Sequence, residues 1–134
     1  MDIRFHVLSD FVEKFIVCES TYSHSGKKKE LNFDINNYPK FKNKISYIVI
    51  DEEPPNIIGD KKGLAKPFEK RSDSLKRINL SYDYMIKALS EVNGDDLIIL
   101  SDNDEIPNLD SKQFKNSKKD ILIFKQLFFY YKFN

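Results

Sequence analysis

The run Asp96-Leu97-Ile98-Ile99-Leu100-Ser101-Asp102-Asn103-Asp104-Glu105-Ile106-Pro107 sets four consecutive aliphatic residues against three carboxylates and closes them with a proline. A core cannot take up that charge, so the pattern predicts a buried strand over 97–101 that stops where the acids begin and leaves them to solvent, a metal or cationic partners. Carboxylates at i and i+2, here Asp102 and Asp104, can converge on one divalent ion whose remaining positions stay open to phosphate oxygens.

Three site types place Asp-x-Asp after an apolar strand. They are the phosphoaspartyl hydrolases, in which the first Asp is a nucleophile, the metal-dependent nucleotidyltransferases, and the sugar-nucleotide glycosyltransferases, whose acids hold a metal on the diphosphate. The hydrolase pattern wants Thr or Val two residues after the second Asp, where this chain has Ile106, and wants the strand near the N-terminus. Both features count against it. A calcium loop of EF-hand type fails as well, because the stretch has no glycine for the sharp turn and follows a strand rather than a helix. A solvated turn remains the bland alternative for an isolated acidic triplet.

The elements that must position these acids alternate along the chain. Ile3, Val7, Leu8, Phe11 and Val12 recur at helical spacing and predict a short amphipathic helix over 2–12, with a strand through Ile3, Phe5 and Val7 as the alternative. Residues 14–18 read as a buried strand, 20–26 as a polar loop running into Lys27-Lys28-Lys29, and 45–50 as a second buried strand stopped by Asp51-Glu52-Glu53-Pro54-Pro55. The stretch from Pro54 to Pro67 reads as a mobile loop. Leu75, Ile78, Tyr82, Met85, Ile86 and Leu89 then predict one long helix from Phe68 to Val92, stopped by Asn93-Gly94. After the acidic strand come a short helix near 110–117 and a last strand over 121–131. Buried strands alternating with helices imply an α/β fold with a mainly parallel sheet flanked by helices, in which ligands bind beyond the carboxyl ends of the strands.

With 134 residues, 40% hydrophobic and 13% aromatic, the chain suits a single folded domain over 1–134. Its 22 basic residues against 21 acidic ones leave a net charge of +1, which gives no field for nucleic acid or acidic membranes. No stretch approaches the roughly 18 apolar residues of a membrane span, and the N-terminus lacks a signal-peptide pattern, so the expectation is a soluble, cytoplasmic protein. Cys18, the single cysteine, lies within an apolar run and reads as a buried thiol rather than a nucleophile.

The residues Leu97-Ile98-Ile99-Leu100-Ser101-Asp102-Asn103-Asp104-Glu105-Ile106-Pro107, taken with the stretch from Phe15-Ile16-Val17-Cys18-Glu19 through Ser23-His24-Ser25-Gly26-Lys27 to Phe33, resemble glycosyltransferase family 17. The resemblance extends through Lys44–Asp51 and from Pro67-Phe68-Glu69 to Arg77, Asn79 and Leu80, in order. It implies a nucleotide-diphosphate-sugar fold of GT-A type and a UDP-sugar donor, UDP-N-acetylglucosamine in that family. It also implies a divalent metal, manganese or magnesium, a glycan or glycoprotein acceptor, and inversion at the anomeric carbon. Members of the family open on an apolar strand with no counterpart ahead of Asp2 and continue past the position of Asn134. The expectation is therefore an incomplete GT-A-like domain, lacking the first strand and the C-terminal acceptor half, either a transferase or a truncated non-catalytic remnant or interaction module that keeps only the fold.

By that resemblance Asp102 and Asp104 hold the metal and the donor diphosphate. Glu105 contacts the donor or caps the helix after Pro107. Glu19 faces the donor or pairs, buried, with Arg77. His24 and Lys27 contact donor phosphates, against the bland reading of a solvated charge run, and Arg77 and Asn79 reach the nucleotide, against surface pairing. His6 reads as structural, and no residue is singled out as the catalytic base. Phe128, Phe129, Tyr130 and Tyr131 read as core filling that invites self-association if left uncovered.

Overall fold

The computed structural model describes residues 1–60 and 63–125, which fall into two compact units: Met1–Glu13 with the segment from Leu97 onward, and Lys14–Asp96. In the second unit, strands β1 (Phe15–Ser20) and β2 (Ile45–Ile50) pair in parallel, with Phe15 opposite Ile45 and Ser20 opposite Ile50. Side chains alternate along each strand, so Val17, Glu19, Tyr47 and Val49 share one face while Cys18, Ser20, Ile48 and Ile50 share the other. Helix α2 (Pro67–Lys87) covers the Cys18 face, where the thiol lies 3.9 Å from the Ser81 carbonyl. Phe33 covers the opposite face, with its ring centroid 4.9 Å from that of Tyr47. A strand enclosed on both faces needs apolar residues at nearly every position, which is why β1 and β2 read as continuous hydrophobic runs.

Pro67 opens α2 with its φ already set for a helix, and the Glu69 carboxylate accepts the Lys66 backbone N–H at 2.7 Å. The α-helix ends earlier than its apolar spacing predicts. It tightens into a 3-10 turn over Ala88–Glu91, after which Val92 is extended. Gly94 does not take up a left-handed conformation, so Asn93-Gly94 is no helix cap. It belongs instead to a turn in which the Asp96 N–H donates to the Asn93 carbonyl at 3.1 Å and the Asp96 carboxylate accepts the Asn93 N–H at 2.8 Å.

The described part of the connection after β2 is tied down rather than loose. Asp73 on α2 is buried, and its carboxylate accepts the backbone N–H groups of Ile58 at 3.1 Å and Gly59 at 2.8 Å. Lys76 reaches the Asn56 carbonyl at 2.5 Å. The N–H groups of Gly59 and Ile58 hold the Asp73 carboxyl below its ordinary value despite its burial, with Lys76 adding to the effect.

In the first unit, α1 (Asp2–Leu8) is helical as the 3.6-residue spacing predicts, but it stops at Leu8, short of Val12. It buries Phe5 and Leu8. Helix α3 (Lys112–Lys115) is a single turn, shorter than 110–117, with the Ser111 hydroxyl accepting the Phe114 N–H at 3.2 Å. The strand expected over 97–101 is not formed, and 121–125 makes no ladder either. Leu97, Ile98, Leu100, Ile121 and Ile123 are all more than half exposed. Apolar density makes a segment competent for a sheet, but the ladder needs a partner strand in register, and among the described residues only β1 and β2 supply one to each other. The rest of the expected last strand, including Phe128–Tyr131, lies outside the described residues. No helix among the described residues is long and apolar enough to cross a membrane.

Ile50 is 1% exposed at the carboxyl end of β2. Ile50→Ala is expected to destabilise the protein by about 2–5 kcal/mol, through lost transfer energy plus the cavity left behind. Urea unfolding followed by circular dichroism would measure the loss.

Candidate functional site

The chain Ser101–Glu105 turns back on itself. The Glu105 N–H donates to the Asp102 carbonyl at 3.1 Å, and the Glu105 carboxylate accepts the Asp102 N–H at 3.2 Å. Arg4 on α1 closes the turn from outside, donating from one guanidinium nitrogen to the carbonyl of Asp102 at 3.2 Å and to that of Glu105. Desolvation lowers the Arg4 pKa, against the opposing pull of Glu105. Glu105 is thus a turn-closing side chain, and α3 takes its cap from Ser111 instead.

Asp102 and Asp104 are both exposed, and neither carboxylate has a hydrogen-bond or ion-pair partner among the described residues. Two hard oxygen donors left open in this way suit a divalent cation. Among the described residues no group of three or more His, Cys, Asp or Glu converges on a metal position. A cation held by Asp102 and Asp104 would therefore take its other ligands from water and phosphate, the arrangement expected where the ligand itself completes the shell.

The acids of the second unit contrast with these. Glu19 sits near the end of β1 with its side chain 14% exposed, and it accepts from five donors. They are Lys29 Nζ at 2.5 Å, the Asn32 N–H at 2.8 Å, Asn32 Nδ2 at 3.2 Å, the Phe33 N–H at 3.0 Å and the Tyr47 hydroxyl at 3.0 Å. Desolvation alone would raise its pKa, but Lys29, the two backbone N–H groups and Tyr47 together outweigh it and hold the carboxyl at about 2. On the same contact, burial first and then Glu19 push the Tyr47 hydroxyl up to about 12.

The acidic triplet after β2, legible in the sequence only as a strand stop, is also engaged. Asp51 accepts the Thr21 hydroxyl at 2.6 Å, Glu52 accepts the Tyr84 hydroxyl at 2.7 Å, and Glu53 receives Arg77 in a two-pronged pair. Arg77 Nε lies 2.7 Å from Glu53 Oε2 and Nη2 lies 3.0 Å from Oε1, while Nη1 donates to the His24 carbonyl at 3.1 Å. The partner of Arg77 is thus the half-buried Glu53 and not Glu19.

His24 and Lys27 belong to a loop closed by the bridge of Tyr22 to Lys28, with the Ser23 N–H on the Lys27 carbonyl and the Gly26 N–H on the Ser23 carbonyl, both at 2.8 Å. Lys28 ties this loop to Asp51 directly, and Arg77 of α2 ties it to Glu53 through its bond to the His24 carbonyl. Lys28 and Asp51 lie 3.9 Å apart with side chains 69% and 66% exposed, a geometry worth about 0–1 kcal/mol. Arg77 is 10% exposed and bidentate, so the Arg77–Glu53 pair is the stronger tie. Asn79 lies exposed on α2. His6 sits on α1 with Nδ1 3.1 Å from the Asp2 carbonyl. The Cys18 thiol is pushed up by burial, which keeps it protonated and unsuited to nucleophilic attack.

The sequence pattern of glycosyltransferase family 17 matches residues 1–130. The chain belongs to that family. Over 118 residues it is 31% identical to the Homo sapiens protein named beta-1,4-mannosyl-glycoprotein 4-beta-N-acetylglucosaminyltransferase, with 85% of this chain and 20% of that protein aligned. The Rattus norvegicus protein of the same name matches equally, and the Mus musculus one is 30% identical over the same length. The chain spans about a fifth of the curated relatives it matches. No solved structure matches it significantly. The family match takes in all the residues described above, so both the open acids of 102–104 and the engaged loop 22–28 fall within the region that this chain shares with the family.

Because the folded-state pKa of Glu19 lies near 2 and its ordinary value is 4.5, its stabilising effect is fully present above about pH 4.5 and is lost as the pH falls through about 2. Glu19→Gln is therefore expected to be clearly less stable than the native protein at pH 7. The gap should narrow steadily between pH 4.5 and pH 2, as read from paired thermal melts across that range.

Proposed function

We propose that this chain carries donor-side residues of a metal-dependent glycosyltransferase with a GT-A-like fold, which moves N-acetylglucosamine from a UDP-sugar to a hydroxyl of a glycan acceptor. One observation carries this reading. Asp102 and Asp104 present two open carboxylates on a turn that Arg4 and Glu105 hold, whereas Glu19, Asp51, Glu52 and Glu53 are all satisfied by protein donors. Carboxylates left unpaired while the acids that end the strands are used structurally are the ones available for ligand chemistry.

In this reading Asp102 and Asp104 hold manganese or magnesium, and Asn103 between them needs no contact of its own. The ion, when bound, supplies positive charge against the developing charge of the leaving diphosphate. Arg4 and Glu105 fix the turn, so that both carboxylates meet the donor without first having to be ordered. Considered by itself, the loop Ser23–Lys27 of the other unit offers His24 and Lys27, groups suited to anionic oxygens such as those of a donor phosphate. Attack by the acceptor hydroxyl in line with the departing diphosphate inverts the anomeric carbon. The names of the relatives support N-acetylglucosamine as the sugar and a mannose-containing glycoprotein glycan as the acceptor.

Calorimetric titration of UDP-N-acetylglucosamine with and without manganese tests the proposal. Native protein should bind only with the metal, and Asp102→Asn with Asp104→Asn should weaken binding at least about tenfold, since each loses a full charge on the ion at unchanged side-chain size. Binding that ignores the metal or survives the double substitution would refute the assignment of these acids. No binding by the folded native protein would favour a non-catalytic remnant that keeps only the fold.

A further inference from the structure

Gly26 lies in the left-handed region with φ +83°, and its Cα faces the Arg77 guanidinium at close range. A Cβ added there would fall 2.8 Å from Arg77 Cζ and closer still to Nη2. The position thus requires glycine twice over, once for its backbone and once because the guanidinium occupies the space a side chain would need. Each guanidinium nitrogen makes one hydrogen bond, Nε and Nη2 to Glu53 and Nη1 to the His24 carbonyl, and the group lies beside Gly26. With the side chain 10% exposed, it cannot offer the same fork to a phosphate without breaking the Glu53 pair.

We infer that Arg77 is a positioning residue, locked by Glu53 and seated on Gly26, which holds the loop Ser23–Lys27 in the conformation that binds a nucleoside-diphosphate sugar. The inference rests on the donor reading of that loop and goes further, because it assigns Arg77 to the loop instead of to the ligand. A lysine at 77 keeps the charge but cannot span Glu53 and His24 together. Any side chain at 26 must push the guanidinium from its place between Glu53 and His24.

The test combines amide hydrogen exchange at Ser23, Gly26 and Lys27 with calorimetry of UDP-N-acetylglucosamine plus manganese, on native protein, Arg77→Lys, Arg77→Ser, Gly26→Ala and the Arg77→Ser/Gly26→Ala double variant. Arg77→Lys is expected to speed exchange in the loop about tenfold and to weaken donor binding by a similar factor while α2 keeps its helical signal, the scale of losing hydrogen bonds to a charged group. Gly26→Ala should match it in the native background. On top of Arg77→Ser its effect should be clearly smaller than in the native background, because the clash partner is gone and only the strain of a positive φ remains. Equal effects of Gly26→Ala in both backgrounds would overturn the seat. Loss of donor binding in Arg77→Lys with loop exchange unchanged would overturn the positioning role in favour of direct contact. If the native protein binds no donor, the donor reading alone falls, and the exchange measurements still decide whether Arg77 holds the loop.

Discussion

A carboxylate near the end of an enclosed strand must find donors, and the second unit is organised around how Glu19 finds them. Its five hydrogen bonds draw in Lys29, Asn32 and Phe33 from the segment after β1 and Tyr47 from the neighbouring strand β2. Burial works against the charge, and hydrogen bonds to a charged group contribute about 1.5–3 kcal/mol each, so the donors win. In satisfying Glu19 the chain also lays Phe33 over Tyr47 and stacks Tyr38 on Phe33, with ring centroids 5.3 Å apart, and so closes one face of the β1–β2 pair.

The same physics recurs after β2. Asp51, Glu52 and Glu53 meet two other parts of the chain, taking Thr21 from the loop after β1 and Tyr84 and Arg77 from α2. The acids that end β2 are thus ties between elements, and the loop 22–28 takes its shape from one of them through Arg77. Asp73 does likewise for the connection ahead of α2, from a buried position. Asp102 and Asp104 stand apart from this economy of donors, since the turn that bears them is closed through its backbone and through Glu105. In this chain the carboxylates at the ends of β1 and β2 are thus engaged by protein donors, whereas those of Asp102 and Asp104 have no partner among the described residues.

Much of this was legible from local pattern. The apolar runs of β1 and β2, the spacing along α2 and the helical reading of α1 follow from side-chain periodicity, which is a property of neighbouring residues. The acidic motif and the Ser23–Lys27 stretch carried the family resemblance, and the family match over 1–130 agrees with it. Other readings failed for reasons equally physical. Leu97–Leu100 has the composition of a buried strand, yet a ladder depends on a partner that composition does not specify. Asn93-Gly94 looks like a helix stop, but the α-helix had already tightened at Ala88.

The sequence by itself determined the family, the α/β class, the places of β1, β2 and the long helix, and the residue types available for chemistry, because these depend on composition and short-range order. Only the tertiary structure decided which carboxylates are used up and which stay open. It gave Glu53 rather than Glu19 to Arg77, put the Arg77 guanidinium over Gly26, and brought Arg4 to the carbonyls of Asp102 and Glu105. Hydrogen-bond partners far apart in sequence are chosen by packing, and no local pattern of residues encodes that choice.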